Sequence, residues 1–128
     1  MNSRTALLIA ALSGGFTVAI GAFAAHGLKG NITPYLLQVF EKGVQYQAWH
    51  TLALFMCAIL MRIQPSKAVS YAAILFTLGI FCFSGSLYML ALTGIKWFGP
   101  ITPLGGLCFI FGWIALAVSA LRSTEVTP

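Results

Sequence analysis

His26 and His50 are the two side chains here best suited to exchange a proton or bind a metal near neutral pH. His50 follows Tyr46 by four residues, so both lie on one face of any helix that carries them. Glu41 and Gln45 repeat that spacing on a different side of the same stretch. Ser84, Ser86 and Thr102 are further polar candidates set within or beside apolar runs. Polar groups in such surroundings are functional candidates by default. Each also has a plainer use. His26 can anchor a helix end by meeting its orphan carbonyls, and His50 can join two helices rather than serve as a ligand or proton site.

Most familiar chemistries lack a second member. Glu41 is the only acid before the C-terminal tail and Lys42 follows it directly, so there is neither a carboxylate pair nor an oxygen cage for a metal. Ser84 and Ser86 have no activating base nearby, which leaves helix–helix hydrogen bonding as their expected role. Gly105-Gly106 lacks the lysine and further glycines of a phosphate loop. Bis-histidine haem ligation requires both imidazoles at one depth, whereas His26 falls at a span's edge and His50 about two turns past Val44. Cys57, Cys82 and Cys108 each sit in a different apolar run and read as small buried hydrophobes. No catalytic, cofactor or metal site is expected, and the chain does not read as an enzyme.

The elements that must position these residues are four apolar runs, Ala6–Ala25, Val44–Met61, Val69–Leu92 and Leu104–Leu121. Each approaches the roughly 20 residues that cross a bilayer core. Hydrophobic residues make up 59% of the 128-residue chain and charged ones 7%, with mean hydropathy +0.93. A soluble domain of this size needs more polar surface. The expected fold is therefore all-α: one domain, residues 1–128, built as a four-transmembrane-helix bundle. Its seven cations against two acids are scattered singly over connectors and termini, a pattern for headgroup contact and not for nucleic acid. Arg4 and the Ala22-Phe23-Ala24 string could pass for a secretory signal, but Gly14-Gly15 interrupts the apolar stretch and the segment is expected to be retained.

Helix punctuation is legible. Ser66 after Pro65 caps a third helix, Thr102 with Pro103 a fourth, and Thr33-Pro34 starts the second well before its apolar run. Gln38, Glu41, Lys42 and Gln45 then share one face, so an amphipathic interfacial section leads into helix 2. Gly27 and Gly30 end the first helix. The echo of Ile32-Thr33-Pro34 in Ile101-Thr102-Pro103 reads as a common helix start, not a duplication. Both termini are expected in the cytoplasm, with Arg4, Arg62, Lys67 and Arg122 inside against Lys29, Lys42 and Lys96 outside. Gly15, Gly21, Gly85, Gly105, Gly106 and Gly112 supply small surfaces for close helix packing, and a bulky residue at Gly85 is expected to cost more than one at Phe81.

Gly21-Ala22-Phe23-Ala24-Ala25-His26-Gly27-Leu28, Tyr46 and His50, Phe83-Ser84-Gly85-Ser86-Leu87-Tyr88, Thr102-Pro103-Leu104-Gly105-Gly106 and Gly112-Trp113 recur in order over nearly the whole chain. Together they resemble the small membrane family known as domain of unknown function 423, related to the animal transmembrane-protein-256 proteins. Ala24 stands where many relatives have glycine. The resemblance implies a four-helix protein of the bacterial inner membrane and no particular activity. It marks His26, Tyr46, His50, Ser84, Ser86 and Thr102 as the residues to test first.

Three functions compete at this level. The leading one is an interaction or accessory bundle that binds membrane lipid, other membrane proteins or its own copies through glycine-lined faces. The second is an oligomeric conduit or carrier for protons or a small solute around His50. The third is a haem- or quinone-linked membrane protein.

Overall fold

In the computed structural model, which describes residues 1–124, the helices start where side-chain caps dictate. Asn2 accepts the Thr5 N–H at 2.9 Å, Thr33 that of Leu36 at 3.2 Å ahead of Pro34, and Ser66 that of Val69 at 3.1 Å. Four long helices follow: α1 (Ser3–Leu28), α2 (Pro34–Ile63), α3 (Lys67–Thr93) and α4 (Ile101–Arg122). Among the described residues there are no strands. Gly30 and Gly94, at φ +85° and +69°, turn the chain out of α1 and α3. The expected cap at Thr102 is corrected. α4 begins one residue earlier, and the Thr102 hydroxyl is spent at 2.6 Å on Ser86 Oγ of α3.

Two helices carry a wider turn. Ala24–Leu28 closes α1 as π-helix, and Ile80–Ser84 interrupts α3 in the same way. Each inserts a residue into the regular repeat and so re-aims the side chains that follow it.

α1 packs along α2, α2 along α3, and α3 along α4. α2 and α4 meet through side chains rather than by backbone approach. Serines fasten one end of the bundle: Ser70 donates to the Met1 carbonyl at 2.9 Å, Arg62 Nε to Ser3 Oγ at 2.8 Å, and Ser66 pairs with Ser119 at 3.1 Å. Successive helices are therefore antiparallel.

The distribution of side chains is that of a protein facing hydrocarbon. Its centre is small: Ala6, Ala10, Ala53, Ala58, Ala72 and Ala73 are buried around Leu54, Val69 and Phe76. Leu12, Val18, Leu52, Phe81 and Leu121, by contrast, face outward, each more than 65% exposed. Three segments, Ser3–Leu28, Lys67–Thr93 and Lys96–Arg122, are long and apolar enough to cross a membrane. α2 is longer but more polar, and Gln47, His50 and Thr51 of that helix are buried.

The closest approaches lie between α3 and α4. A Cβ on Gly105 would run into the backbone of Phe83, 2.7 Å from its Cα. Phe76 fills the gap at Gly112, and Phe109 in turn fills the gap at Gly79. Between α2 and α3, Gly43 admits the Tyr88 ring, 2.7 Å from where a Cβ would stand. Gly21 and Gly106 make ordinary contacts with Val44 and Phe83. At Gly15 and Gly85 the expected close approach is not found, because an added Cβ at either meets nothing within 4 Å. The expectation for Gly85 is corrected accordingly. Gly105→Ala should lower stability in detergent by about 1–3 kcal/mol, since the opposing atoms are backbone and cannot rotate away. Gly85→Ala should leave it level or raise it by up to about 1 kcal/mol through helix propensity. Thermal unfolding of the two variants side by side checks the contrast.

Candidate functional site

Most of the buried polar groups fall into two clusters organised by α2, while buried Ser86 bonds Thr102 of α4 instead. In the first, Gln47 is 3% exposed and bridges three helices. Its Nε2 donates to the Ser13 carbonyl and to Ser13 Oγ of α1, both at 3.2 Å. Its Oε1 accepts the Tyr88 hydroxyl of α3 at 2.7 Å. Thr51 joins through Ser13 Oγ at 2.6 Å, and Thr17 donates to the Ser13 carbonyl at 2.7 Å. Next to this cluster the fully buried Ser84 donates to the Gly43 carbonyl at 2.7 Å, tying the π-turn of α3 to α2. Among the described residues, no buried side-chain nitrogen or oxygen lacks a partner.

The second cluster surrounds His50, 4% exposed. Its Nδ1 lies 2.7 Å from the Tyr46 carbonyl, and its Nε2 lies 3.1 Å from Trp113 Nε1. A carbonyl only accepts and an indole N–H only donates. The ring is therefore the neutral tautomer with its proton on Nδ1, and neither nitrogen is free for a metal. Phe109 stacks on its face with centroids 3.5 Å apart and planes 11° from parallel. Tyr46 does not bond to His50 through its hydroxyl. Its ring packs on Phe83 at 4.6 Å and on Trp49 at 5.1 Å.

The remaining candidates are dispersed. His26 is exposed on the π-turn that ends α1. Gly21 and Val44 fix the register of α1 on α2. Counting rise from that contact puts His26 and His50 about 16 Å apart along the bundle, too far to share one iron. Ser86 and Thr102 join α3 to α4 at the far end. Glu41 and Gln45 are exposed, and both line a polar groove between α1 and α2. Glu125, the second acid of the chain, lies outside the described residues. Among the described residues no three His, Cys, Asp or Glu side chains converge.

A second opening is apolar. α1 and α3 diverge over α2 and leave a cleft of about 410 Å³ walled by Ile9, Leu12, Phe16, Ile80 and Phe81. Gly85 lies in its wall, and Ser13, Gln47 and Tyr88 reach its lining. Sequence reasoning missed Ser13, Thr51 and Tyr88 as a unit around Gln47. The available signal was the Ser13/Thr17 pair at four-residue spacing inside an apolar run.

Comparison with known proteins finds relatives named as membrane proteins. The family described as "Protein of unknown function (DUF423)" matches residues 20–106. The UPF0382 membrane protein SAB0533 of Staphylococcus aureus is 44% identical over 116 residues, 91% of this chain and 94% of the relative. YwdK of Bacillus subtilis, also a UPF0382 membrane protein, is 44% identical over 117 residues, 91% and 95% of the two chains. The UPF0382 inner membrane protein YgdD of Escherichia coli K12 is 39% identical over 122 residues, 95% and 93%. No solved structure matches the chain.

Two measurements check the site. A double-mutant cycle of Gln47→Leu with Tyr88→Phe should give a coupling of about 0.6 kcal/mol, and no more than about 1.7, the range of interhelical hydrogen bonds in lipid. Nitrogen-15 spectra of histidine-labelled protein should show His50 with its proton on Nδ1 alone. A proton on Nε2 would contradict the Trp113 contact.

Proposed function

This chain belongs to the DUF423 family of proteins of unknown function, all of its matched relatives above being named as membrane proteins, and from that premise we propose that it is a four-span interaction module. Its task in this reading is to hold a transmembrane helix of a partner in the cleft between α1 and α3. α2 forms the fourth span. Leu52, Met56 and Ile59 give it an outward apolar face, while its polar residues turn inward. With four spans both termini share one side, and the four cations at that end against three at the other support placing it in the cytoplasm of a bacterial inner membrane.

The observation that carries this reading is the contrast between floor and walls of the cleft. Gln47, the most polar group near it, already bonds to Ser13 and Tyr88, so an occupant is offered apolar surface. Gly85 in the wall meets nothing, and a small residue of this kind lets a helix backbone come near. A conduit through His50 is the weaker reading, because a relay needs a nitrogen free to exchange its proton and both are engaged.

A photo-crosslinker replacing Phe81 in the cleft wall should capture one discrete polypeptide from native membranes. The same group at Ile110, exposed on α4, should capture lipid only. Gly85→Leu should abolish the first adduct without lowering thermal stability, and the adduct's mass tells a second copy from another protein. Equal polypeptide capture at both positions would overturn the proposal. Proton flux through liposomes that vanishes in His50→Phe would overturn it in favour of the conduit.

A further inference from the structure

The polar side chains of the groove between the end of α1 and the early part of α2 take no part in the buried clusters described above. It holds about 640 Å³, lined by Gly21 and Ala24 on one side and by Gln38, Glu41, Lys42 and Gln45 on the other. Its depth follows from counting residues. Arg62 and Glu41 stand 21 positions apart on one continuous helix, a rise of about 32 Å. A bilayer core is about 30 Å thick. With Arg62 at one boundary, Glu41 and Lys42 reach the other, and Gln45 lies one turn below them. That placement rests on the reading of α2 as a span.

Two opposite charges at a headgroup boundary ordinarily neutralise each other. Here they are consecutive residues, and consecutive side chains on a helix do not face one another. Both are exposed, and both border the same opening. Carboxylate and ammonium are thus displayed side by side, with amides above and below. Gly21 and Ala24 on the opposing wall project almost no side chain, and Val44 lines the groove beside Gly21.

We propose that this groove binds the headgroup of a phospholipid that carries both a phosphate and a primary ammonium, as phosphatidylethanolamine does. Lys42 meets the phosphate, and Glu41 accepts N–H bonds from the ammonium. Gln45, one turn deeper, stands at the level of the ester carbonyls. A quaternary choline has no N–H to give Glu41, and a glycerol headgroup has no cation.

The test uses the full chain in nanodiscs containing equal parts ethanolamine, choline and glycerol phospholipid, with retained lipid read by native mass spectrometry. Ethanolamine lipid should be retained about fivefold or more over choline lipid, the gain of one charge-assisted hydrogen bond. Glu41→Gln should erase that preference and leave total retention in place. Lys42→Gln should lower retention of all three. Equal retention by the unaltered chain, or an unchanged preference in Glu41→Gln, overturns the proposal. Impermeant thiol labelling of Glu41→Cys and Arg62→Cys separates the two readings. Opposite-face labelling with no lipid preference rejects the headgroup site alone, whereas same-face labelling rejects the span and the site together.

Discussion

A carboxamide buried among apolar helices has no water to fall back on. Gln47 meets that constraint by reaching two other helices at once, and the rest of the bundle is arranged around the solution. Its donors end on Ser13 of α1 and its acceptor on Tyr88 of α3. Slipping either neighbour by one turn would leave at least one of these groups unpaired in a low-dielectric interior, where that loss is costly. Apolar surface alone cannot set register here, because lipid solvates leucine as well as another helix does. The hydrogen bonds select one alignment among many of similar contact area.

The same reasoning explains why the helix of lowest hydropathy lies innermost. α2 carries Gln47, His50 and Thr51 on its inward side, and all three are buried against other helices. His50 reaches α4 through Trp113 and Phe109. Phe109 is held in turn because glycine at position 79 leaves room for its ring, as Gly112 does for Phe76. α4 is thereby locked to α3 by two aromatic rings seated in reciprocal gaps, and to α2 by an imidazole with both nitrogens engaged. His50 is the joint between the polar and the aromatic halves of the interior.

Helix number and starts were legible in the chain, because caps and apolar run lengths are local signals. Ser66 and Thr33 cap as their neighbours require, whereas Thr102 does not, since a hydroxyl from α3 competes for it. The two π-turns were not legible. An inserted residue leaves no mark in composition, yet the one at Ile80–Ser84 directs Ser84 to Gly43. Glycines were recognised as a class but not sorted. Gly43 and Gly79 take rings and Gly85 takes nothing, a difference set by where aromatic side chains of another helix fall. The Gln47 network was hidden for a similar reason. Serine, threonine and tyrosine scattered over three helices become one site only when the helices are in register.

The two flanks of the bundle have been treated differently, and the difference bears on use. On the α3–α4 side glycine is matched to a ring or to backbone wherever the helices approach, so little can enter without displacing protein. On the α1–α3 side Gly85 is matched to nothing, and Leu12, Phe16 and Phe81 stand outward. Helices fastened directly to each other at only one end, as α1 is to α3 where Ser70 donates to the Met1 carbonyl, would close on one another if contact were the sole requirement, since each contact adds dispersion energy that lipid chains supply less densely. Tyr88 and Ser13 are held instead by Gln47 from beneath, which fixes the separation of α1 and α3. A polar clamp at the floor thus keeps an apolar slot open above it, and the stability of the bundle does not depend on what fills that slot.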